Sequence, residues 1–250
     1  MPKTSTCVLV LFALAGCAKD SEDLPTYEIK AGFTVELADQ PTPGSTVVEA
    51  KLARAPLAGP GTDDPVNLSD GDSLSVTTDK GDDLPMPRVE KGEYRVTLPN
   101  VDRTTFTFHL KRSSGTSSDG SVLFMQPAMA FTDSPANKSY AATDMVHFAW
   151  SNRASGAKLF LSAVSRGCGG SGGINVGVGL GKTDVKDLPF DDSGSLDIAV
   201  SKLYSNASPA SGDCVDIAIR RSVTSNAEGV LGSGSGVTGR RTERLTINVK

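Results

Sequence analysis

From Tyr27 onward apolar residues recur every second position, which is the period of a strand with one buried face. Phe33, Val35 and Leu37 alternate with Thr34 and Glu36, and Val48, Ala50 and Leu52 with Glu49 and Lys51. Leu74 and Val76, then Tyr94, Val96 and Leu98, then Phe106, Phe108 and Leu110 follow the same rule. Turn chemistry bounds these runs: Pro41-Thr42-Pro43-Gly44, Gly59-Pro60-Gly61, Asp70-Gly71-Asp72, Gly81-Asp82-Asp83 and Pro99-Asn100. No stretch of ten or more residues carries helical periodicity. Short alternating strands with frequent turns predict an all-β chain of antiparallel β-sandwiches.

The second half repeats the grammar. Val122–Met125, Ala128–Phe131, then Val146, Phe148 and Trp150 on one face, Ala157–Ser165, Gly173–Leu180, Ser195–Val200, Val215–Ser222 and Arg241–Val249 read as strands. Ser222–Gly239, rich in Ser and Gly, reads as a long mobile hairpin loop. Ser113–Ser121 is small, polar and unpatterned, and is the expected linker between a first sandwich at 27–112 and a second at 122–250. The alternative is a long hairpin loop within one larger domain. The polar run 17–26, with Pro25, reads as a tether.

The first sixteen residues have the parts of an export signal: a positive Lys3, a short apolar run Cys7–Ala15, and small Ala15 and Gly16 before Cys17. The run is too short to span a bilayer, which takes roughly 20 apolar residues. Leu14-Ala15-Gly16-Cys17 resembles the lipobox of bacterial lipoproteins. The resemblance implies a cleaved signal at 1–16, a diacylglyceryl group on the Cys17 thiol and an acylated amine, fatty acids such as palmitate supplying the chains. Two or more chains suffice for stable anchoring. Ala18, in place of Asp, implies the outer membrane by analogy with enteric lipoproteins. The alternative is an ordinary secretory leader with a chance cysteine.

Cysteine usage fits export. Cys7 leaves with the leader and Cys17 takes lipid, so Cys168 and Cys214 remain, and an oxidising compartment makes a disulfide between them the expectation. It would close a loop of about 46 residues, worth about 4 kcal/mol at most in the chain-entropy model. Two buried thiols are the alternative. The order Ser134-Pro135, polar turn, Val146 to Trp150 is similar to the opening of immunoglobulin-like and fibronectin-type domains. Trp150 precedes both cysteines, however, so the bond reads as a strand-end staple and not an inter-sheet pin.

The chemistry carried by other motifs is thin. The chain is mildly acidic, net −4, with no basic block, which argues against nucleic acid as a partner. Gly181-Lys182-Thr183 ends like a phosphate loop, but Val176 stands where its first Gly belongs and no helix pattern follows, which argues against nucleotide; Asp184–Pro189 is turn-like. His109 and His147 sit on the polar phase of strands, and no nucleophile elbow exists. Carboxylates crowd predicted turns, and Asp70, Asp72, Asp82 and Asp83 are weak calcium candidates, though no run matches a calcium loop. No cofactor and no resident metal are expected. The expectation is therefore a lipid-anchored extracytoplasmic protein, bound to membrane through Cys17, acting as a structural or interaction module with an envelope protein or glycan as possible partner and no catalysis. The alternatives are an envelope hydrolase with a site on the sandwich loops and a calcium-binding surface module.

Overall fold

The computed structural model describes residues 19–38, 45–55, 64–79, 81, 83–99, 104–125, 128–168, 184–204, 208–227, 229 and 231–250, with backbone alone at 19, 38, 122 and 184–187. Cys17 and the rest of the export signal, Asp82, the Gly177–Thr183 run and the strand expected at Gly173–Leu180 lie outside the described residues. The strands are β1 (Lys19–Asp20), β2 (Ile29–Ala38), β3 (Ser45–Arg54), β4 (Val66–Asn67), β5 (Ser73–Thr78), β6 (Asp83–Pro85), β7 (Arg88–Glu90), β8 (Glu93–Pro99), β9 (Thr105–Lys111) and β10 (Ser118–Phe124). They continue as β11 (Ala130–Asp133), β12 (Ser139–Tyr140), β13 (Met145–Ser151), β14 (Lys158–Gly167), β15 (Asp184–Asp191), β16 (Ser195–Ala199), β17 (Asp213–Asn226) and β18 (Gly236–Val249). Three single-turn 3-10 helices, Ser21–Asp23, Thr26–Glu28 and Val200–Leu203, are the helical elements among the described residues.

The fold is all-β and sandwich-like. One large sheet runs β15-β14-β17-β18-β2-β3-β8-β7, with β12 added beside β18. Two smaller sheets, β10-β9-β5-β6 and β11-β13-β16, form the second layers. The four-stranded sheet closes a first core in which Phe33 stacks on Phe108 at 4.3 Å between ring centroids, beside buried Leu52, Val76, Phe106 and Leu123. The three-stranded sheet closes a second core around Phe148, Trp150, Leu161, Ile217 and Ile247. Apart from the short parallel pairs β1–β4 and β12–β18, pairing within each sandwich is antiparallel, and the two are joined by a further parallel pair: β18 lies against β2, Val237 opposite Phe33 and Arg241 opposite Leu37.

β17 and β18 are 14 residues each, about 45 Å at strand rise, and pair without a register shift from Cys214–Asn248 to Asn226–Gly236. Their inward face therefore passes from one core to the other. Val237 belongs to the first core, and Val215, Ile217 and Ile247 to the second. The same face also carries Arg221, Arg241 and Glu243 between them, by register. Arg221 is 1% exposed, its guanidinium 3.0 Å from the Asp192 carboxylate. Asp192 in turn accepts from the Trp150 indole N–H at 2.7 Å and the Ala154 amide at 2.8 Å. Burial lowers the Arg221 proton affinity from its ordinary value, and the Asp192 charge offsets part of this. A polar seam thus divides two apolar cores on one continuous face.

Several expectations need correcting. The run 113–121 is not a linker: Ser118–Phe124 is a strand paired antiparallel with Thr105–Lys111, and Leu123 and Met125 fill the first core. Its inward positions are hydroxyl residues, Ser118 at 4% and Ser121 at 2% exposure, which hid the alternation. The cores change hands between Met125 and Met129. Both ends of the Ser222–Gly239 segment, Ser222–Asn226 and Gly236–Gly239, are ladder, and the turn between them is docked. The Gly232 amide donates to the Ile29 carbonyl at 2.8 Å, the Ala31 amide to the Ser235 hydroxyl at 3.0 Å, and Leu231 packs on the first core. Asp184–Pro189, read as a turn, belongs to β15, which edges the large sheet beside β14. Nor is the 17–26 segment a free tether in its described part: β1 pairs with β4, and Ser21, Leu24 and Thr26 are buried.

Two outcomes follow from the shared ladder. A fragment 17–125 lacks the β18 segment that pairs with β2 and lacks Val237, so its thermal midpoint should fall well below that of the first transition in the full chain. Equal midpoints by calorimetry would mean that β18 contributes nothing to the first core. At Gly232 a Cβ would stand 2.7 Å from Ala55 Cβ and 2.8 Å from the Tyr27 carbonyl oxygen, so the backbone itself must move. Gly232→Ala should cost about 1–3 kcal/mol in urea unfolding, the usual range for overpacking.

Candidate functional site

The first sandwich has an end where its chain segments converge. β2 begins and β3 ends there (Ile29 opposite Arg54), β8 begins (Glu93 opposite Lys51), and β5 begins where β9 ends (Ser73 opposite Lys111). The segment 19–28 crosses this end. Its fastening is an ion pair, Arg112 Nε to Asp72 Oδ2 at 2.8 Å, with side chains 1% and 0% exposed. The rest of the Arg112 fork donates to the Ser21 and Leu24 carbonyls and the Thr26 hydroxyl. Asp72 accepts further bonds from the Ser21 hydroxyl (2.6 Å), the Ser113 amide (2.6 Å) and the Ser113 hydroxyl (2.8 Å). Such a pair is tolerable inside a protein because nearly every donor and lone pair is used. Burial by itself would raise the Asp72 carboxyl; the bonds from Ser21 and Ser113 and the Arg112 charge outweigh it and hold the carboxyl below its ordinary range.

Beside this clasp, a depression of about 450 Å³ opens between the layers. Leu68, Leu74, Met86 and Tyr94 line it, with Asp70 and Arg88 exposed nearby. Its size is within the range of small-ligand sites, and it is open to solvent on one side. The Tyr94 oxygen accepts from the Leu68 amide at 2.7 Å, and burial pushes its hydroxyl pKa up, so it stays a neutral donor. Of the acidic candidates, Asp70 and Asp72 both reach this wall, but Asp72 has its two oxygens occupied by Arg112, Ser21 and Ser113, which corrects its reading as a calcium ligand. Asp83 is exposed on β6, apart from them. Among the described residues no three His, Cys, Asp or Glu side chains are grouped to hold a metal ion.

Both histidines lie on strand surfaces, each paired with a carboxylate across the ladder. His109 Nδ1 is 3.1 Å from Asp119 and its Nε2 is 2.9 Å from the Thr77 hydroxyl. His147 Nδ1 is 2.6 Å from Asp197. The first of these has the hydroxyl–imidazole–carboxylate order of a proton relay. It stands on the open face of the four-stranded sheet, with Asp119 two-thirds exposed, and no buried donor pair faces the hydroxyl among the described bonds. At the other end of the long ladder Cys168 is bonded to Cys214, Cα atoms 5.0 Å apart, where β14 ends and β17 begins. It is a strand-end staple between neighbours of one sheet.

Sequence reasoning missed Arg112, Ser21, Thr26 and Tyr94 as site builders. A signal existed for one of them: Phe106, Phe108, Leu110 and Arg112 keep a single period-two phase, so the phase that buries three apolar side chains also points Arg112 inward.

No family model matches the chain, and no curated protein does. Among solved structures it is similar to a two-domain fibronectin type-III segment from chicken tenascin, at 15% identity and TM-score 0.21, covering 85% of this chain and 96% of that one. It is also similar to the crystal structure of DIP-gamma IG1+IG2, at 8% identity and TM-score 0.22, over 88% and 97% of the two chains. Likenesses this loose carry no functional argument, and the fold rests on the sheets themselves.

The clasp makes a sharp expectation. Arg112→Met leaves a buried carboxylate without its partner and should cost about 3–5 kcal/mol in urea unfolding, with the 19–28 segment losing amide protection in hydrogen exchange. The Asp72 stabilisation is fully present above the ordinary carboxylate pKa and is lost as pH falls through the depressed folded-state value. Asp72→Asn should therefore flatten the acid limb of the stability–pH curve; an unchanged limb would remove Asp72 from the account.

Proposed function

We propose that this chain is a lipid-anchored protein of the bacterial cell envelope, presented outside the cytoplasm and on the outer membrane. It acts there as a structural or interaction module without catalysis. The observation that carries the reading is the shared ladder: β17 and β18 make two sandwiches into one continuous body, with the N-terminal segment clasped at one end and the disulfide at the other. An anchor at Cys17 would enter the clasped end, so the stapled end would stand outermost, a disposition for presenting loops to an envelope protein or glycan. The disulfide supports an oxidising compartment. Among the described residues no helix is long and apolar enough to cross a membrane.

A catalytic reading stands second. The Thr77–His109–Asp119 line is the feature in its favour, but it lies on a sheet face and not on the loops, with the Asp119 side chain two-thirds exposed to water.

Mass spectrometry of the mature N-terminus tests the anchor. Cys17 should carry a diacylglyceryl group and an amide-linked acyl chain, and Cys17→Ser should remain as precursor or leave the membrane fraction. An unmodified Cys17, or cleavage elsewhere, would sink it. Capture from native envelope with the lipidated protein should then retrieve partners that depend on the stapled end.

A further inference from the structure

If Cys17 carries lipid, very little chain separates the bilayer from the folded body. β1 already starts at Lys19, paired with Val66, so Ala18 alone separates the acylated residue from a hydrogen-bonded strand, a reach of about 7 Å over two Cα–Cα steps. The segment that follows has no freedom to spool out, because Ser21, Leu24 and Thr26 are buried and the Arg112–Asp72 pair holds their carbonyls and hydroxyls. The end of the first sandwich must therefore stand at the lipid headgroups, in a fixed orientation.

That end carries a side chain suited to the position. Tyr27 is 64% exposed, the most exposed large apolar side chain among the described residues, and it follows directly on the clasp. Its backbone is pinned: Thr26 donates to the Thr116 carbonyl, and Gly232, seated close to the Tyr27 carbonyl, bonds to Ile29. An aromatic ring with a hydroxyl tip is the side chain that settles at a membrane–water interface. Exposed Asp20, Glu22, Asp23 and Asp70 lie on the same end together with exposed Lys51, Arg88, Lys91 and Lys111, a rim of mixed charge that suits headgroups bearing both signs. We propose that this end is a membrane-facing foot, with the Tyr27 ring seated among zwitterionic phospholipid headgroups and the short join at residues 17–19 holding it there. The foot rests on the Cys17 anchor reading and adds to it an orientation and a contact surface.

The test uses the mature chain, residues 17–250, with Cys168–Cys214 oxidised so that Cys17 is its one thiol. Coupling that thiol to a maleimide lipid in zwitterionic vesicles supplies the anchor by chemistry, independently of any cellular acylation. Tyr27→Trp places an indole on the foot, and the chain's single natural tryptophan, Trp150, buried in the second core, gives the background. With brominated acyl chains the indole at position 27 should shift to the blue and lose most of its emission, while wild-type emission stays unchanged. Inserting about ten Gly and Ser residues between Ala18 and Lys19, an r.m.s. span of about 17 Å, should restore the emission. Emission at position 27 equal in brominated and plain vesicles overturns the foot, and so does quenching that survives the insertion. Neither outcome touches the acylation of Cys17 in the cell, which the mass measurement decides.

Discussion

The structure depends on one uninterrupted backbone ladder, β17 against β18, which both cores use as a wall. Side chains two apart on a strand share a face, so a strand long enough to serve two cores must carry its inward phase through the space between them. On β17 that phase reads Val215, Ile217, Ile219, Arg221, and on β18 it reads Ile247, Leu245, Glu243, Arg241, Gly239, Val237. The polar residues fall where neither second layer covers the sheet with apolar side chains. Burying Arg221 there requires a counter-charge, and Asp192 provides it from the loop after β15 while also receiving the Trp150 indole. The seam thereby ties the second layer of one sandwich to the wall shared by both. Gly239, without a side chain, leaves the room in which Leu123 of β10 packs against that wall.

The Arg112–Asp72 clasp repeats the device at the far end of the first core. In both places an arginine occupies the inward position that follows three apolar ones, and a carboxylate from a loop neutralises it. Neither pair is strong evidence for stability in itself, since desolvation offsets most of the Coulomb gain. What each pair does is specify one arrangement: an unpaired partner would be costly, so alternative placements of the Ser21–Thr26 segment, or of the loop bearing Asp192, are disfavoured. Orientation follows from this. A body closed at one end by its own N-terminal segment and stapled at the other by a disulfide has a defined near and far side once its start is fixed.

The sequence by itself determined the elements that alternate regularly. Period-two alternation located β2, β3, β5, β8, β9, β13 and β14 because each has one wet and one dry face, and the solvent phase placed His109 and His147 on strand surfaces. The Cys168–Cys214 bond is an expectation of the sequence with two buried thiols as its alternative, and the structure forms the bond. The tertiary structure alone decided which strands share a sheet. The β18–β2 junction brings Ser235 to Ala31 across 204 residues, and parallel pairing of that separation leaves no local trace in either strand. It also decided where Ser, Thr and Gly are interior. Ser21, Thr26, Ser118 and Ser121 read as solvent-facing because a hydroxyl costs free energy to bury alone, and here partners drawn from distant loops remove much of that cost.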